Sequence, residues 1–253
     1  MTGIVYLVGA GPGGPDLLTV RAARVLGEAD IVFHDALVHP GTLALAARAE
    51  KIPVGKRCGR HSTAQRFINK RLVDAAGIHK VVVRLKGGDP MLFGRAHEEI
   101  SYLIRNKVQV EIVPGVTSAL AASADLKISL TQRGVSRSVV FATPRAAADA
   151  APSNWAQAVA AADTAVLYMA GRDAVLVKDE LLRLGVSPRK PVAVVENASV
   201  PERKIIAGAL AALPELAARC GGGPALLLIG DVFAAAQEAG LAELLPRTAI
   251  QRA

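Results

Sequence analysis

Short apolar runs that end in glycine, proline or polar residues alternate along the chain with stretches whose apolar positions recur at helical spacing. The runs predict strands at 4–9, 30–34, 51–54, 80–86, 108–113, 138–142, 164–169, 191–196, 204–207 and 224–230. The helical spacing predicts helices at 16–27, 40–48, 63–76, 95–106, 117–124, 153–162, 172–185 and 209–219. VYLV, VVVRL and VLY are nearly continuous apolar runs, the pattern of strands covered on both faces. Alternation of the two element types predicts an α/β architecture. Val113-Pro114-Gly115-Val116 closes one set of five strands and precedes another, which divides the chain into lobes at 1–114 and 115–253. A cleft between two such lobes is a common place for a ligand. AAADAAPS at 146–153 reads as an Ala-rich loop.

Composition narrows the picture. Half of the 253 residues are apolar and the charges are scattered, as in a globular chain with a large core. Cys58 and Cys220 stand far apart with no C-x-x-C, which offers no disulfide or zinc framework and fits a reducing compartment. His61 and His97 lack partners at ligand spacing, so no metal site is expected. The first apolar run follows no basic segment and is too short for a signal sequence, and no stretch is long enough to span a membrane. A cytoplasmic protein is the expectation. Thirty Lys and Arg against 22 Asp and Glu leave a formal charge of +8, which suits nucleic acid or an anionic small molecule. Five Phe, three Tyr and one Trp, none recurring beside the basic residues, give no stacking platform, and the nucleic-acid reading falls behind.

Candidate chemistry lies in two glycine-rich loops. In IVYLVGAGPGGPDLLT (4–19), Gly9, Gly11 and Gly14 satisfy the dinucleotide fingerprint, with Asp35 at the usual distance beyond. Pro12 and Pro15, however, remove N–H donors that a pyrophosphate needs. Pro15 and Asp16 suit the first turn of a helix. A Walker loop fails too: Gly55-Lys56 is followed by Arg57, and Glu50 stands where the first glycine belongs. KVVVRLKGGDPMLFGRAHEEI (80–100) passes from a strand through Gly87-Gly88-Asp89-Pro90 into a helix. The two glycines admit close approach to the backbone, and Asp89 can accept from an amine or hydroxyl. A plain β–α turn with an Asx cap is the simpler alternative.

VGAGPGGPDLLT, HDALV, VGKRCGRHS, VVRLKGGDPMLFGRAHEE, VPGVTSA and LTQRGVSRSVVF, followed by VLYMAG, PVAVVENAS and PALLLIG, resemble in order and spacing the tetrapyrrole methylases. Within that superfamily the chain most resembles the uroporphyrinogen-III C-methyltransferase group, over almost its whole length. The resemblance implies two α/β lobes with mixed sheets and a cofactor cleft between them, in a homodimer. It implies methyl transfer from S-adenosylmethionine, leaving S-adenosylhomocysteine, to C2 and C7 of uroporphyrinogen III, giving precorrin-2. The acceptor is an anionic tetrapyrrole whose carboxylates arginines could grip. A sulfonium donor carries no phosphate, so prolines in the first loop are no handicap.

Carried over residue by residue, the resemblance implies cofactor contacts at Pro12, Gly87, Gly88, Asp89, Leu92, Thr117, Ser118, Met169 and Ala198. Met169 equally reads as core packing at a strand end, and Thr117 and Ser118 as an N-cap. Arg95 and Glu98 match catalytic positions; an arginine is a poor base, which makes Arg95 an anion clamp oriented by Glu98. Asp35 and Lys56 match a proton acceptor and donor. Arg133 matches a substrate contact, and Arg57, Arg60 and His61 beside Lys56 form a wall for carboxylates or a solvated loop. Departures from the family pattern cluster on the presumed substrate side: Gly14 in place of an acid, His34 and Ala36 around Asp35, Ala96-His97 in place of two glycines, Gln132 and Gly134 around Arg133, and Thr143-Pro144-Arg145 for TGH. The cofactor side is nearly intact. Three alternatives remain: another precorrin C-methyltransferase, a non-catalytic S-adenosylmethionine-binding protein, and an NAD-dependent oxidoreductase.

Overall fold

A computed structural model describes residues 2–54, 65–145 and 153–238. The chain divides into two units, Met1–Ser118 and Ala119–Ala253; the sequence pattern had placed the division at 114/115.

In the N-terminal unit, β1 (Ile4–Gly9), β2 (Ile31–His34), β3 (Glu50–Pro53), β4 (Val81–Lys86) and β5 (Gln109–Val113) form one sheet in the order β3-β2-β4-β1-β5. Every pairing in it is parallel, so the expectation of mixed sheets does not hold for this unit. Parallel neighbours require crossovers, supplied here by α1 (Val20–Glu28), α3 (Gln65–Ala76) and α4 (Ala96–Arg105), with α2 (Pro40–Ala44) before β3. Strand residues alternate between two apolar layers. Val5 and Leu7 pack with Leu72 of α3 and Leu103 of α4, while Val8 packs on the other side with Val25 and Leu26 of α1. The predicted helix at 16–27 breaks into a 3-10 turn, Pro15–Leu17, and α1. Thr19 is the reason: its hydroxyl accepts from the Ala22 N–H (3.1 Å) and caps α1 after an extended Leu18 and Thr19.

The topology singles out one place in this sheet. From β1 the chain crosses to β2 on one side, and from β4 it crosses to β5 on the other. The carboxyl ends of β1 and β4 are therefore a switch point, where open α/β sheets bind ligands. Both glycine loops leave from there.

In the C-terminal unit, α5 (Ser118–Leu126, begun at the division) precedes β6 (Val139–Ala142), β7 (Thr164–Leu167), β8 (Pro191–Glu196), β9 (Lys204–Ala209) and β10 (Ala225–Gly230). Their order is β6-β7-β10-β8-β9, with β6 and β7 parallel and the other pairings antiparallel. α6 (Trp155–Ala161), α7 (Ala174–Arg183) and α8 (Leu213–Ala218) complete the layers. Leu167, Val177, Leu181, Val194, Leu213 and Leu227 share its core. A closing helix, α9 (Ala234–Glu238), was not expected from the sequence. Truncating a fully buried leucine such as Leu72 or Leu181 to alanine costs about 2–5 kcal/mol.

Candidate functional site

At the switch point the backbone itself is the building material. Gly11 and Gly88 exchange hydrogen bonds, N–H of Gly11 to O of Gly88 at 3.2 Å and N–H of Gly88 to O of Gly11 at 2.7 Å. Both adopt left-handed φ, +73° and +66°, which side chains resist. The segment after β5 joins them: a Cβ on Gly115 would lie 2.4 Å from the Gly88 oxygen, and one on Gly9 would lie 2.6 Å from Gly115 Cα. The Asp89 carboxylate ties the same segments, accepting from Met91 N–H (2.8 Å) and Gly115 N–H (2.9 Å). Each of its oxygens holds a backbone donor, so Asp89 organises the loops. Ala10 N–H donates to Lys86 O at 2.7 Å and closes the arrangement.

One side of this knot is open. A Cβ on Gly87 or on Gly88 would meet nothing within 4 Å. Pro12, Leu92, Thr117 and Ser118 are half-buried; Leu92 N–H donates to Asp89 O (3.3 Å), and Ser118 opens α5. The loops thus form a backbone-lined cradle with close contacts beneath and free space above.

Below the cradle lies a charged cluster. Arg84 and Lys86 sit two apart on β4, share one face, and are both buried. Arg84 gives Nη2 to Asp35 Oδ1 (2.6 Å), Nε to Glu99 Oε1 (3.1 Å) and Nη1 to Leu85 O (3.1 Å). Lys86 Nζ donates to Glu99 Oε2 (3.0 Å), and Gln65 Nε2 donates to Glu99 Oε1 (2.9 Å). Glu99 is wholly withdrawn from solvent. Burial works against the charge on Arg84, yet Asp35 and Glu99 outweigh it and hold the guanidinium pKa above its ordinary value. For Lys86 burial prevails, helped by repulsion from Arg84 and opposed by Glu99 and Asp35, and its pKa is lowered. Asp35 is partly exposed at the edge of this cluster, and the neighbouring His34 ring contacts the Asp35 carbonyl at 3.1 Å.

Arg95 stands at the N-cap of α4 in left-handed conformation, φ 56°, two residues after Phe93 at φ 52°. Such positions cost about 1–3 kcal/mol each for non-glycine residues and persist where the surroundings impose them. The guanidinium grips Glu98 with both prongs, Nε to Oε1 and Nη2 to Oε2, each at 2.7 Å. These hydrogen bonds raise the Arg95 pKa and lower that of Glu98. Glu98 orients Arg95, whose side chain stays 58 % exposed.

In the C-terminal unit, Met169 follows β7 with φ 57° and is 45 % exposed. Core packing, the alternative for it, does not hold, because the left-handed turn directs it out of the apolar layer. Its neighbour Tyr168 is buried edge-on to Phe141, ring centroids 6.1 Å apart, and accepts from Ala119 N–H at 3.2 Å. Ala198 is buried between Asn197 and Ser199, both at positive φ, and Ser199 N–H donates to Asp125 Oδ2 (2.6 Å). Arg133 is exposed in the turn between the bridged residues Gln132 and Ser136. Lys56, Arg57, Arg60 and His61 lie outside the described residues. Among the described residues no three His, Cys, Asp or Glu side chains gather as metal ligands, and no helix is long and apolar enough to cross a membrane.

The profile of the tetrapyrrole (corrin/porphyrin) methylases matches residues 4–214. The chain belongs to the tetrapyrrole methylase family. It is 44 % identical over 232 residues to siroheme synthase of Psychrobacter cryohalolentis, covering 91 % of this chain and 44 % of that protein. Siroheme synthase of Pseudomonas fluorescens is 42 % identical over 233 residues, covering 91 % and 50 %. The chain thus spans about half the length of the curated relatives it matches. Among solved structures, uroporphyrin-III C-methyl transferase from Thermus thermophilus complexed with S-adenyl homocysteine superposes with a TM-score of 0.81 at 41 % identity, over 92 % of this chain and all of that one. A cobalt precorrin-4 methyltransferase gives 0.79 at 30 % identity, over 90 % and 95 %.

Within this tetrapyrrole methylase the motifs led to the glycine loops and to Arg95–Glu98, but not to Arg84, Lys86 and Glu99. A signal was present. VVVRLK carries two charges on one face of a strand otherwise apolar throughout, and such charges need buried partners. Glu99 and Gln65 were not identifiable as those partners, because they come from α4 and α3 and meet β4 only in the fold.

Proposed function

We propose that the chain is an S-adenosylmethionine-dependent C-methyltransferase that converts uroporphyrinogen III to precorrin-2 by methylating C2 and C7. The observation that carries this reading is the open, backbone-lined cradle at the β1/β4 switch point with the Arg95–Glu98 fork on the helix that follows it. The similarity to the Thermus thermophilus enzyme with its bound S-adenyl homocysteine supports both halves of it.

The residues suit such a cofactor. Bare space over Gly87 and Gly88 admits a nucleoside against the backbone, and the prolines at 12 and 15 withhold donors that only a pyrophosphate would need. Pro12, Gly87, Gly88, Asp89, Leu92, Thr117 and Ser118 would hold S-adenosylmethionine, with Met169 and Ala198 as further proposed contacts. When bound, it supplies an electrophilic methyl group on a sulfonium. The chain's own part is positioning and charge management. Arg95, oriented by Glu98, binds a carboxylate of the macrocycle; Arg133, Arg57, Arg60 and His61 are proposed to hold others. Asp35, oriented by Arg84, accepts the proton that the macrocycle gives up elsewhere in the ring as its carbon is methylated, and Lys56 is the proposed donor. A cytoplasmic homodimer completes the proposal.

A second reading, a methyltransferase for a later precorrin, draws on the likeness to the cobalt precorrin-4 enzyme and on the departures around Asp35 and Arg133. Incubation with S-adenosylmethionine and either uroporphyrinogen III or cobalt precorrin-4, followed by mass analysis, separates the two. Two added methyl groups on uroporphyrinogen III are the expected result. Methylation of cobalt precorrin-4 with uroporphyrinogen III untouched overturns the proposal.

A further inference from the structure

The charged cluster beneath the cradle is larger than the chemistry above it needs. Arg84, Lys86 and Glu99 are withdrawn from water, and Gln65 and Asn69 extend the cluster through a 3.0 Å hydrogen bond. Burying ion pairs rarely repays its desolvation cost, so stability alone is a weak reason for the arrangement. Its connections point elsewhere.

Lys86 reaches two segments at once. Its carbonyl holds the first glycine loop through Ala10, and its ammonium holds Glu99 in the first turn of α4. On the way its stem passes under Gly94, where a Cβ would come within 3.1 Å of Lys86 Cε and 2.6 Å of Pro90 O. Gly94 lies between Phe93 and Arg95, the two left-handed residues that set the direction of the Arg95 side chain. Arg84 then carries the connection from Glu99 to Asp35. A single chain of hydrogen bonds therefore runs from the start of α4, beside Arg95, to Asp35 at the end of β2.

We propose that Lys86, Glu99 and Arg84 are positioning residues that fix Arg95 and Asp35 relative to each other, a role that rests on the methyl-transfer reading above. Arg84, Lys86, Asp35 and Glu99 are two cations and two carboxylates, so the hydrogen bonds among them are charge-assisted and directional. Glu99 anchors the first turn of α4 and thereby the strained Arg95–Glu98 fork. Arg84 presents one carboxylate oxygen of Asp35 and leaves the other free. None of the three needs to touch the acceptor.

Charge balance and positioning can be separated with the full chain. Lys86→Met and Glu99→Gln each leave the buried cluster one charge out of balance, whereas the double variant is balanced again. Turnover of uroporphyrinogen III, S-adenosylhomocysteine affinity by calorimetry, thermal melting and the 15N resonance of Arg95 Nε are measured in each. Both single variants are expected to lose turnover by about 100-fold, as displaced reacting groups do, with S-adenosylhomocysteine affinity within about threefold of wild type. The double variant is expected to regain its melting temperature and not its turnover, and the Arg95 resonance to move in all three. Recovery of turnover together with stability overturns the proposal. So do single variants that melt early yet react normally per folded molecule, and so does an unmoved Arg95 resonance. If the wild-type chain leaves uroporphyrinogen III unmethylated, the substrate reading fails by itself, and the Arg95 resonance then decides the network. Should Glu99→Gln not fold, Gln65→Ala removes one donor from Glu99 and is read by the same resonance.

Discussion

Glu99 in the N-terminal unit and Glu196 in the C-terminal unit are equally hidden from water, but they are satisfied by different chemistry. Glu99 meets the side chains of Arg84, Lys86 and Gln65. Glu196 meets backbone, accepting from Gly221 N–H at 2.8 Å and Gly223 N–H at 2.6 Å. A carboxylate on backbone donors folds a turn, whereas a carboxylate on cations arranges other side chains. The surrounding sheets follow the same division. The parallel sheet brings crossover loops and charges to one end of its strands, while the largely antiparallel sheet encloses an apolar layer around Leu167, Val194 and Leu227. The buried cluster around Glu99 belongs to the proposed reaction, and Glu196 to architecture.

The sharpest way to break that contrast is Arg95→Ala. Removing a preorganised cationic donor typically costs about 100- to 1,000-fold in turnover. Melting is expected to change little, since the Arg95–Glu98 pair is exposed and such pairs contribute at most about 1 kcal/mol. Arg95→Lys should recover little, because an ammonium cannot grip Glu98 with two prongs while facing an anion. Full turnover in Arg95→Ala would leave the fork as surface decoration.

Gly115→Ala tests the cradle. Its new methyl group would meet the Gly88 oxygen at 2.4 Å, so the two loops must separate. An S-adenosylhomocysteine affinity lowered about tenfold, equivalent to about 1.4 kcal/mol, is the expected calorimetric result. An unchanged affinity would detach the loops from the cofactor. Glu196→Ala is the counterpart in the other unit. It takes the charged acceptor from the Gly221 and Gly223 N–H groups, hydrogen bonds each worth about 1.5–3 kcal/mol, so melting should fall while turnover per folded molecule holds. Lost turnover at unchanged melting would reverse the contrast between the units.

The same contrast governs what the sequence disclosed. All ten expected strands are present to within two residues at either end, because buried strands announce themselves by apolar runs and by the breakers that stop them. The 16–27 helix failed because Pro15 reads as a helix start but begins only a 3-10 turn, while α1 starts after Thr19, whose hydroxyl caps it. α9 failed because AAAQE, so short a segment, has no periodicity to read. At the site, glycines and prolines are legible because they constrain their own backbone. Arg84 and Glu99 are fifteen residues apart and on different elements, and only the parallel crossover makes them neighbours. Met169 was ambiguous for a related reason: its type suits a core, and only its φ turns it outward.

The smallest expected effect concerns two aspartates that do the same work in the two units. Asp30 Oδ2 accepts from the N–H groups of Lys80 and Val81, both at 2.9 Å, at the start of β4. Asp163 Oδ2 accepts from the N–H groups of Arg137 (2.8 Å) and Ser138 (2.9 Å) and from the Ser138 hydroxyl (2.9 Å), just before β6. The Arg137 N–H, then the Ser138 hydroxyl and N–H, stabilise the Asp163 carboxylate and lower its pKa below 3.8. A carboxylate with a depressed folded pKa binds fewer protons than in the unfolded chain, so its contribution is complete above 3.8 and fades as pH falls through the folded value. Asp163→Asn keeps an acceptor oxygen and loses the charge. It should therefore melt slightly below the wild type at neutral pH, with the gap closing as the pH is taken below 3.8 and turnover unaffected throughout. A gap that persists at low pH would mean that the shape of the side chain, rather than its charge, holds the turn. A gap accompanied by lost turnover would tie the Asp163 charge to the reaction.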